Sequence, residues 1–159
     1  MIAVRRAALA DVDAVRRIGL ETWPVAYRGL ISDEFAERLA HWWSREAVER
    51  EITNGITFVA ADGDDLVGMA ALGIEDDLWV LGKLYVLPGQ QGKGIGQALI
   101  DAAVAALPDG TPELLLDVLI NNEKAIAFYR KLGFGDAART PGRDLGDELR
   151  WMSLDLQRG

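Results

Sequence analysis

The chain of 159 residues has no cysteine and a single histidine, and these shortages exclude several kinds of site. Without cysteine there is no disulfide, no thiolate metal site and no cysteine nucleophile. One histidine cannot build a metal centre that needs several imidazole ligands. We therefore expect a chain without a metal cofactor.

Long apolar runs and basic residues are also scarce. No run approaches the roughly 18 apolar residues of a membrane span, and residues 1–6 lack the apolar stretch of a secretion signal. We therefore expect a cytoplasmic protein with no membrane partner. The 17 basic residues are outnumbered by 25 acidic ones, which disfavours a nucleic-acid partner. The acidic surface would attract an amine substrate, or it serves solubility alone.

The apolar half of the chain is distributed without repeats or Pro/Ser-rich linkers, so we expect one domain over residues 1–159. Asp11 is expected to cap a first helix to about Tyr27 that Pro24 bends or interrupts, and Ser32 and Ser44 to cap two more. The predicted strands are 2–6, 56–61, 66–74, 78–87, 114–119, 134–138 and 149–156, with later helices ending near 107 and over 122–132. The three middle strands form an antiparallel meander, and a strand–helix–strand crossover makes the sheet of this α/β fold mixed.

Residues 91–96 read Gln-Gly-Lys-Gly-Ile-Gly between a predicted strand and a predicted helix. Three glycines in five residues let the main chain approach a bulky anion, and the helix N-terminus favours negative charge. A dinucleotide fingerprint is excluded, because Gln97 and Leu99 stand where its third glycine is needed. A triphosphate loop is excluded because Gly94 follows Lys93 where serine or threonine is required. The segment therefore predicts a main-chain cradle for a different phosphorylated cofactor.

The pattern that remains, Q-x-x-G-x-G over residues 91–96, resembles the pyrophosphate loop of the GNAT superfamily of acyl-coenzyme A N-acyltransferases. Residues 122–134 are similar to its N-x-x-A-x-x-F-Y-x-x-x-G-F element, and residues 21–30 to an early helix of many bacterial members. The resemblance covers nearly the whole chain. It implies acetyl-CoA as cofactor and a mixed, mostly antiparallel central sheet flanked by helices, with two parallel strands splayed at the cofactor site. Relatives often dimerise, so a homodimer is possible.

The splayed strands would be those that end at Leu87 and Leu119. Backbone groups that lose their ladder partners there can pair with the amides of a pantetheine arm. Gly82 indicates either a bulge that opens this gap or close helix packing.

The resemblance also implies which residues bind the cofactor. Backbone N–H groups at Leu84–Val86 would stabilise the oxyanion, Lys93 is either near phosphate or solvated, and Asn122 contacts the cofactor arm, caps a helix, or does both. The cofactor-binding set is Leu84, Tyr85, Val86, Gln91, Gly92, Lys93, Gly94, Ile95, Gly96, Asn122 and Tyr129.

Two side chains are candidates for the proton transfers that acyl transfer to an amine requires. Tyr129 matches the tyrosine of the family's F-Y pair and can donate a proton to the leaving thiolate, although it is also suited to a core position. Val80 stands where many relatives carry a glutamate, which could act as the general base. Asp117, in an otherwise apolar strand, is therefore the candidate general base, unless it lies at an edge and faces water. The acids Glu75, Asp76 and Asp77 fit a turn and Glu21 a helix surface, and a lone histidine such as His41 is more often packed or exposed than catalytic. A chain of waters could replace a dedicated base.

The acceptor side is expected at Trp23 and Tyr27, four residues apart on one helix and able to hold a cationic amine, or else to pack in the core. Residues 139–146 are expected to cover that pocket. We interpret the chain as an acetyl-CoA-dependent N-acetyltransferase of small primary amines, or of a protein amine, acting by direct transfer. Alternatives are an acyl-CoA sensor without catalysis, motivated by Val80, and an interaction domain without a cofactor.

Overall fold

A computed structural model describes residues 1–143 and 148–157. The strands are β1 (Ile2–Arg6), β2 (Ile56–Asp62), β3 (Asp65–Glu75), β4 (Leu78–Val86), β5 (Glu113–Leu119), β6 (Gly135–Asp136) and β7 (Leu149–Asp155). The α-helices are α1 (Val12–Ala26), α2 (Asp33–Trp42), α3 (Arg45–Asn54), α4 (Ile95–Ala106) and α5 (Glu123–Lys131). This order confirms the predicted α/β class, with helices first, a meander of β2 to β4, and a crossover through α4.

The seven strands form one sheet in the order β1-β2-β3-β4-β5-β7-β6. Neighbouring strands are antiparallel except β4 and β5, which are parallel and paired at Val80 and Leu115. Beyond that pair, in the described part of the sheet, the two strands diverge toward their C-terminal ends. The edge of β4 that faces β5 over Leu84–Val86 therefore has no strand partner. The predicted splay is confirmed.

Gly82 is the extra residue of a β-bulge in β4. Ala71 of β3 pairs with Lys83, whereas the next residue, Leu72, pairs with Leu81, so Gly82 is skipped. A Cβ at Gly82 would approach one atom only, the Ala71 carbonyl oxygen at 3.8 Å. The bulge interpretation is confirmed, and close helix packing at this glycine is not found.

The bulge changes which face of the sheet the following side chains occupy. Leu81 packs in the cluster on the α4 side, whereas Tyr85 packs on the α1 side, although both have odd numbers in one strand. Strict alternation would place the two on the same face. Lys83 shares the phase of Tyr85 and is consequently directed toward α1–α3.

Of the caps predicted for the first three helices, two are observed. The Ser32 and Ser44 hydroxyls each accept a backbone N–H three residues on, at 3.2 Å, as predicted. The expected Asp11 cap is wrong, because its carboxylate accepts the Ala8 N–H and two Arg5 bonds instead. Interruption by Pro24 is also wrong. The proline lies in the last turn of α1, where the helix continues to Ala26.

The core lies on both faces of the sheet. On one face α4 and α5 pack in a cluster that includes Leu99 and Leu116, and on the other Val15 and Ile18 of α1 pack in a cluster with Val48 of α3. A third, small cluster joins Phe35 and Leu39 of α2 to Leu119 and so places α2 beside the splay. The longest described helix has 15 residues, and none in the described ranges is both long and apolar enough to span a bilayer.

Candidate active site

The glycine loop forms an open N-terminus for helix α4. Gly94 is the N-cap with φ of 77°, a left-handed conformation that favours glycine, and Gly92 has φ of 83°. A Cβ at either glycine would have no atom within 4 Å, so the space beside the main chain is free. In the described chain, the N–H groups of Ile95, Gly96 and Gln97 have no backbone acceptor. These N–H groups and the helix dipole suit a diphosphate.

Side chains around the loop brace it. Gln91 donates its amide to the Val86 carbonyl oxygen at 3.2 Å, which ties the loop to the end of β4. Lys93 is exposed and donates to Gln90 at 3.1 Å. Gly96 faces Phe128 of α5, where a Cβ would lie 3.2 Å from the ring. The glycine there allows α4 and α5 to approach closely on the cofactor side.

A cavity of about 60 Å³ occupies the gap between β4 and β5. Leu84 and Tyr85 line it from β4, and Asp117 lines it from β5. Asn122 and Tyr129 close it from the α5 side. The structure thus gathers predicted site residues from four separate segments, with Tyr27 of the α1 end as the fourth. The open edge of β4 in this gap suits the amides of a pantetheine arm.

Asn122 is the N-cap of α5, and its Oδ1 accepts the Ala125 N–H at 3.2 Å. Capping is therefore observed, and the residue also lines the cavity. Tyr129 packs edge-on against Phe128 and Phe134, with ring centroids 5.4 and 5.6 Å away. Burial raises the pKa of Tyr129, and nearby Tyr27 and Asp117 add to the rise. A phenol that retains its proton is suited to donate it to a leaving thiolate.

A second, larger cleft of about 610 Å³ opens on the α3 side of the splay. Trp42, Gly82, Lys83 and Asp117 line both spaces, so the cleft and the small cavity meet at the bulge. We call this larger space the acceptor cleft because the role proposed for it is to hold the amine. Its remaining lining residues are Ala47, Arg50, Glu51, Asn54, Gly55, Ala71, Leu72, Gly73, Ile74, Glu75, Trp79, Val80 and Arg143.

Asp117 stands at this junction in an ion pair. Its Oδ2 accepts from Arg143 at 2.7 Å, and Arg143 also donates to both carboxylate oxygens of Glu75, at 2.7 and 3.2 Å. Burial raises the pKa of Asp117, the Arg143 contact opposes the rise, and Glu75 adds to it. Asp117 does not lie on an edge strand, because β5 is paired with β7 along its whole length, and its side chain is 20% exposed.

Lys83 is a buried charge that the sequence reading did not single out. Its Nζ lies 2.5 Å from Glu51 Oε1, 2.6 Å from the Trp42 carbonyl oxygen and 4.0 Å from the Trp43 ring centroid. Burial lowers the pKa of Lys83 and raises that of Glu51, and their attraction opposes both changes. In the sequence, the sign of this pair is a lysine inside an otherwise apolar predicted strand.

The predicted acceptor residues lie apart from the larger cleft. Tyr27 lines the small cavity, and its hydroxyl lies 3.1 Å from that of Tyr85. Trp23 is half-buried between two core clusters and lines neither space. Of the expected cover over residues 139–146, positions 144–146 lie outside the described residues, and Arg143 lines the acceptor cleft.

The family model described as Acetyltransferase (GNAT) family matches residues 13–134. The chain belongs to this family. Its members transfer acetyl groups from acetyl-CoA to amines, and this GNAT protein is an acetyl-CoA-dependent N-acetyltransferase. The predicted family, fold, enzyme class and cofactor are thereby confirmed.

Two curated relatives and one solved structure illustrate the similarity. The GNAT protein is 29% identical to spermidine N(1)-acetyltransferase of Thermoplasma acidophilum, over 96% of this chain and 99% of that protein. It is 30% identical to aminoglycoside N(6')-acetyltransferase type 1 of Stenotrophomonas maltophilia, over 86% and 88%. PaiA N-acetyltransferase from Thermoplasma acidophilum, solved with coenzyme A, shares the fold with a TM-score of 0.80, 24% identity and coverage of 98% and 99%.

Proposed function

We propose that this GNAT protein transfers acetyl groups to the primary amine of a small molecule, by direct attack while both substrates are bound. The observation that carries this proposal is the meeting of the splay cavity and the acceptor cleft at Gly82, Lys83 and Asp117. Direct transfer requires the amine and the thioester to touch, and two spaces that share a wall satisfy this requirement. The lack of cysteine supports a route without a covalent thioester intermediate.

Three groups of this chain take the chemical roles. Asp117 accepts a proton from the acceptor's ammonium group, so that the nitrogen can attack the thioester carbonyl carbon. Backbone N–H groups over Leu84–Val86 stabilise the charge on the carbonyl oxygen. As the carbon–sulfur bond breaks, Tyr129 donates its hydroxyl proton to sulfur. The nitrogen loses two protons in all. The first passes through Asp117 to solvent, and the second replaces on Tyr129 the proton given to sulfur, so the products are the amide, the free coenzyme A thiol and one proton.

Diphosphate binding is assigned to the loop 91–96. Main-chain N–H groups at Ile95 and Gly96 hold the phosphate oxygens, and Gln91 fixes the loop against β4. Asn122 and the open edge of β4 hold the pantetheine arm. The cofactor supplies the activated acetyl group.

A small cationic amine suits the acceptor cleft. Trp42 and Trp79 line it with aromatic rings that can hold a cation. Its carboxylates, Glu51, Glu75 and Asp117, are paired with Lys83 or Arg143. Two relatives act on small molecules, spermidine and aminoglycosides, which supports this class of acceptor. A single domain, a cytoplasmic location and a homodimer stay predictions.

The test is release of coenzyme A thiol from acetyl-CoA over a panel of amines that includes spermidine, an aminoglycoside, lysine and a lysine-containing peptide. We expect turnover with at least one small amine and saturation in both substrates. Faster turnover with the peptide would replace the small molecule by a protein amine. Tight binding of coenzyme A with no turnover on any amine would favour the sensor alternative.

A further inference from the structure

Arg143 occupies a central position in the acceptor cleft. Its guanidinium makes two hydrogen bonds to Glu75 at the end of β3 and one to Asp117 in β5. Its Cζ lies 5.0 Å from the ring centroid of Trp151, which is the partner of Asp117 on β7. One side chain thus contacts residues of three strands, β3, β5 and β7, and the candidate base lies on β5.

The backbone next to Arg143 is also fixed. The Gly142 N–H donates to Asp76 Oδ2 at 2.6 Å, and Asp76 lies in the β3–β4 turn with φ of 49°. A donor pair from Gly142 and Arg143 therefore clasps the turn that begins at Glu75. Both carboxylates of the clasp come from this turn, and the same guanidinium also donates to Asp117.

We propose that Arg143 is a positioning residue for acetyl transfer, which holds the Asp117 carboxylate toward the junction of the two spaces by bridging it to Glu75. The proposal rests on the proposed function, in which Asp117 accepts the proton of the acceptor. The planar guanidinium suits the task because it presents several donors in a fixed plane, and a lysine ammonium does not.

Charged and titratable groups on five other segments also face Asp117. They are Tyr27 after α1, Glu75 of β3, Lys83 and Tyr85 of β4, Tyr129 of α5, and Arg143 itself. Of these, Arg143 donates to the Asp117 carboxylate and Glu75 repels it through space. Removing Arg143 should raise the pKa of Asp117, and removing the Glu75 charge should lower it. Substitutions at Arg143 and at Glu75 are thus expected to shift the pKa of Asp117 in opposite directions.

The experiment measures the titration of Asp117 by carbon NMR of the full chain labelled at the aspartate carboxyl carbons, with Asp117→Asn to assign the signal. We expect the midpoint to move to higher pH in Arg143→Gln and to lower pH in Glu75→Gln. Acetyl transfer by Arg143→Gln should fall about tenfold to hundredfold in kcat/KM, as for a misplaced catalytic group. Arg143→Lys should retain part of the activity.

Arg139→Gln is the matched control, because Arg139 belongs to the same segment but pairs with Glu113, 2.9 Å from its Nε. It should leave both the Asp117 midpoint and kcat/KM unchanged. Three outcomes would overturn this inference and leave the proposed function standing. They are an unmoved Asp117 midpoint in Arg143→Gln, midpoint shifts of the same sign in Arg143→Gln and Glu75→Gln, and full activity of Arg143→Gln. Full activity of Asp117→Asn would overturn the assignment of the base and this inference with it.

Discussion

Lys83 of β4 and Glu51 of α3 form an ion pair with 2.5 Å between Nζ and Oε1. The two partners differ in exposure, because the Lys83 side chain is 5% exposed and that of Glu51 is 30% exposed. Lys83 is further held by the Trp42 carbonyl and by the face of Trp43. The bridge ties α3 to the strand that carries the bulge, and it therefore fixes one wall of the acceptor cleft.

Replacing Glu51 and replacing Lys83 should lower the free energy of unfolding by different amounts. Glu51→Gln leaves a buried ammonium without its counter-ion, and we expect a loss of about 2 kcal/mol, somewhat below the figure for fully buried pairs. Lys83→Met removes the buried charge and leaves a carboxylate that can turn to water, so its loss should be smaller. Urea unfolding of each variant measures the difference.

Glu49→Gln on the same helix is the control, since Glu49 is exposed and 3.8 Å from Arg45. It should change the free energy of unfolding by no more than about 0.5 kcal/mol. A larger loss for Lys83→Met than for Glu51→Gln would show that packing of the lysine stem, and not charge burial, dominates the pair.

Gly94→Asp should weaken cofactor binding strongly. Gly94 has φ of 77°, and a carboxylate there would lie beside the N–H groups assigned to the diphosphate. Gly63→Asp is matched to it, because Gly63 has φ of 63°, lies in the β2–β3 turn and also has no atom within 4 Å of an added Cβ. Both variants carry a similar backbone cost of about 1 kcal/mol.

Calorimetry with coenzyme A separates the two glycines. We expect the Kd to rise at least about tenfold in Gly94→Asp, which corresponds to about 1.4 kcal/mol, and to stay unchanged in Gly63→Asp. Equal affinities in both variants would exclude the loop as the diphosphate site.

Local signals in the sequence were sufficient for the framework and for the strand–loop–helix geometry of residues 91–96. The loop of residues 91–96, the caps at Ser32 and Ser44 and the bulge at Gly82 each depend on a few adjacent residues. The Asp11 cap failed because a longer-range partner, Arg5, competes for the carboxylate. Local preference decides such positions only where no tertiary contact offers a stronger bond.

The acceptor side could not be predicted in this way. Arg143 and Glu75 are 68 residues apart, and Lys83 and Glu51 are 32 apart, so no local pattern links them. The bulge also reverses the alternation of β4, which hides the face that Lys83 occupies. Trp23 and Tyr27 were chosen as neighbours on one helix, but the first is directed into the core and the second toward the splay.

Tyr129→Phe should lower turnover with little effect on cofactor affinity. The substitution removes only the hydroxyl, and the ring keeps its edge contacts with Phe128 and Phe134. Loss of a general acid typically costs about 10²-fold or more in rate. Stopped-flow or steady-state kinetics give kcat, and calorimetry with coenzyme A gives the Kd. A parallel fall in affinity, or an unchanged kcat, would remove the role of proton donor.

Asp117→Asn is expected to change the pH dependence of the free energy of unfolding and, separately, to lower kcat. Burial raises the pKa of Asp117 above the value of about 3.9 for an unfolded chain. As the pH rises from about 4, the unfolded state loses this proton first, so folding of the wild type becomes less favourable until the native pKa is passed. The asparagine variant lacks this loss, whereas its kcat should fall about 10²-fold or more.

Urea unfolding of both proteins between pH 4 and pH 7 tests the sign. The stability of the wild type relative to Asp117→Asn should be highest at the acidic end and decrease toward neutral pH, because folding disfavours the ionised carboxyl group. An increase with pH would mean that Arg143 stabilises the carboxylate by more than burial costs, which reverses the balance of the two effects at this site.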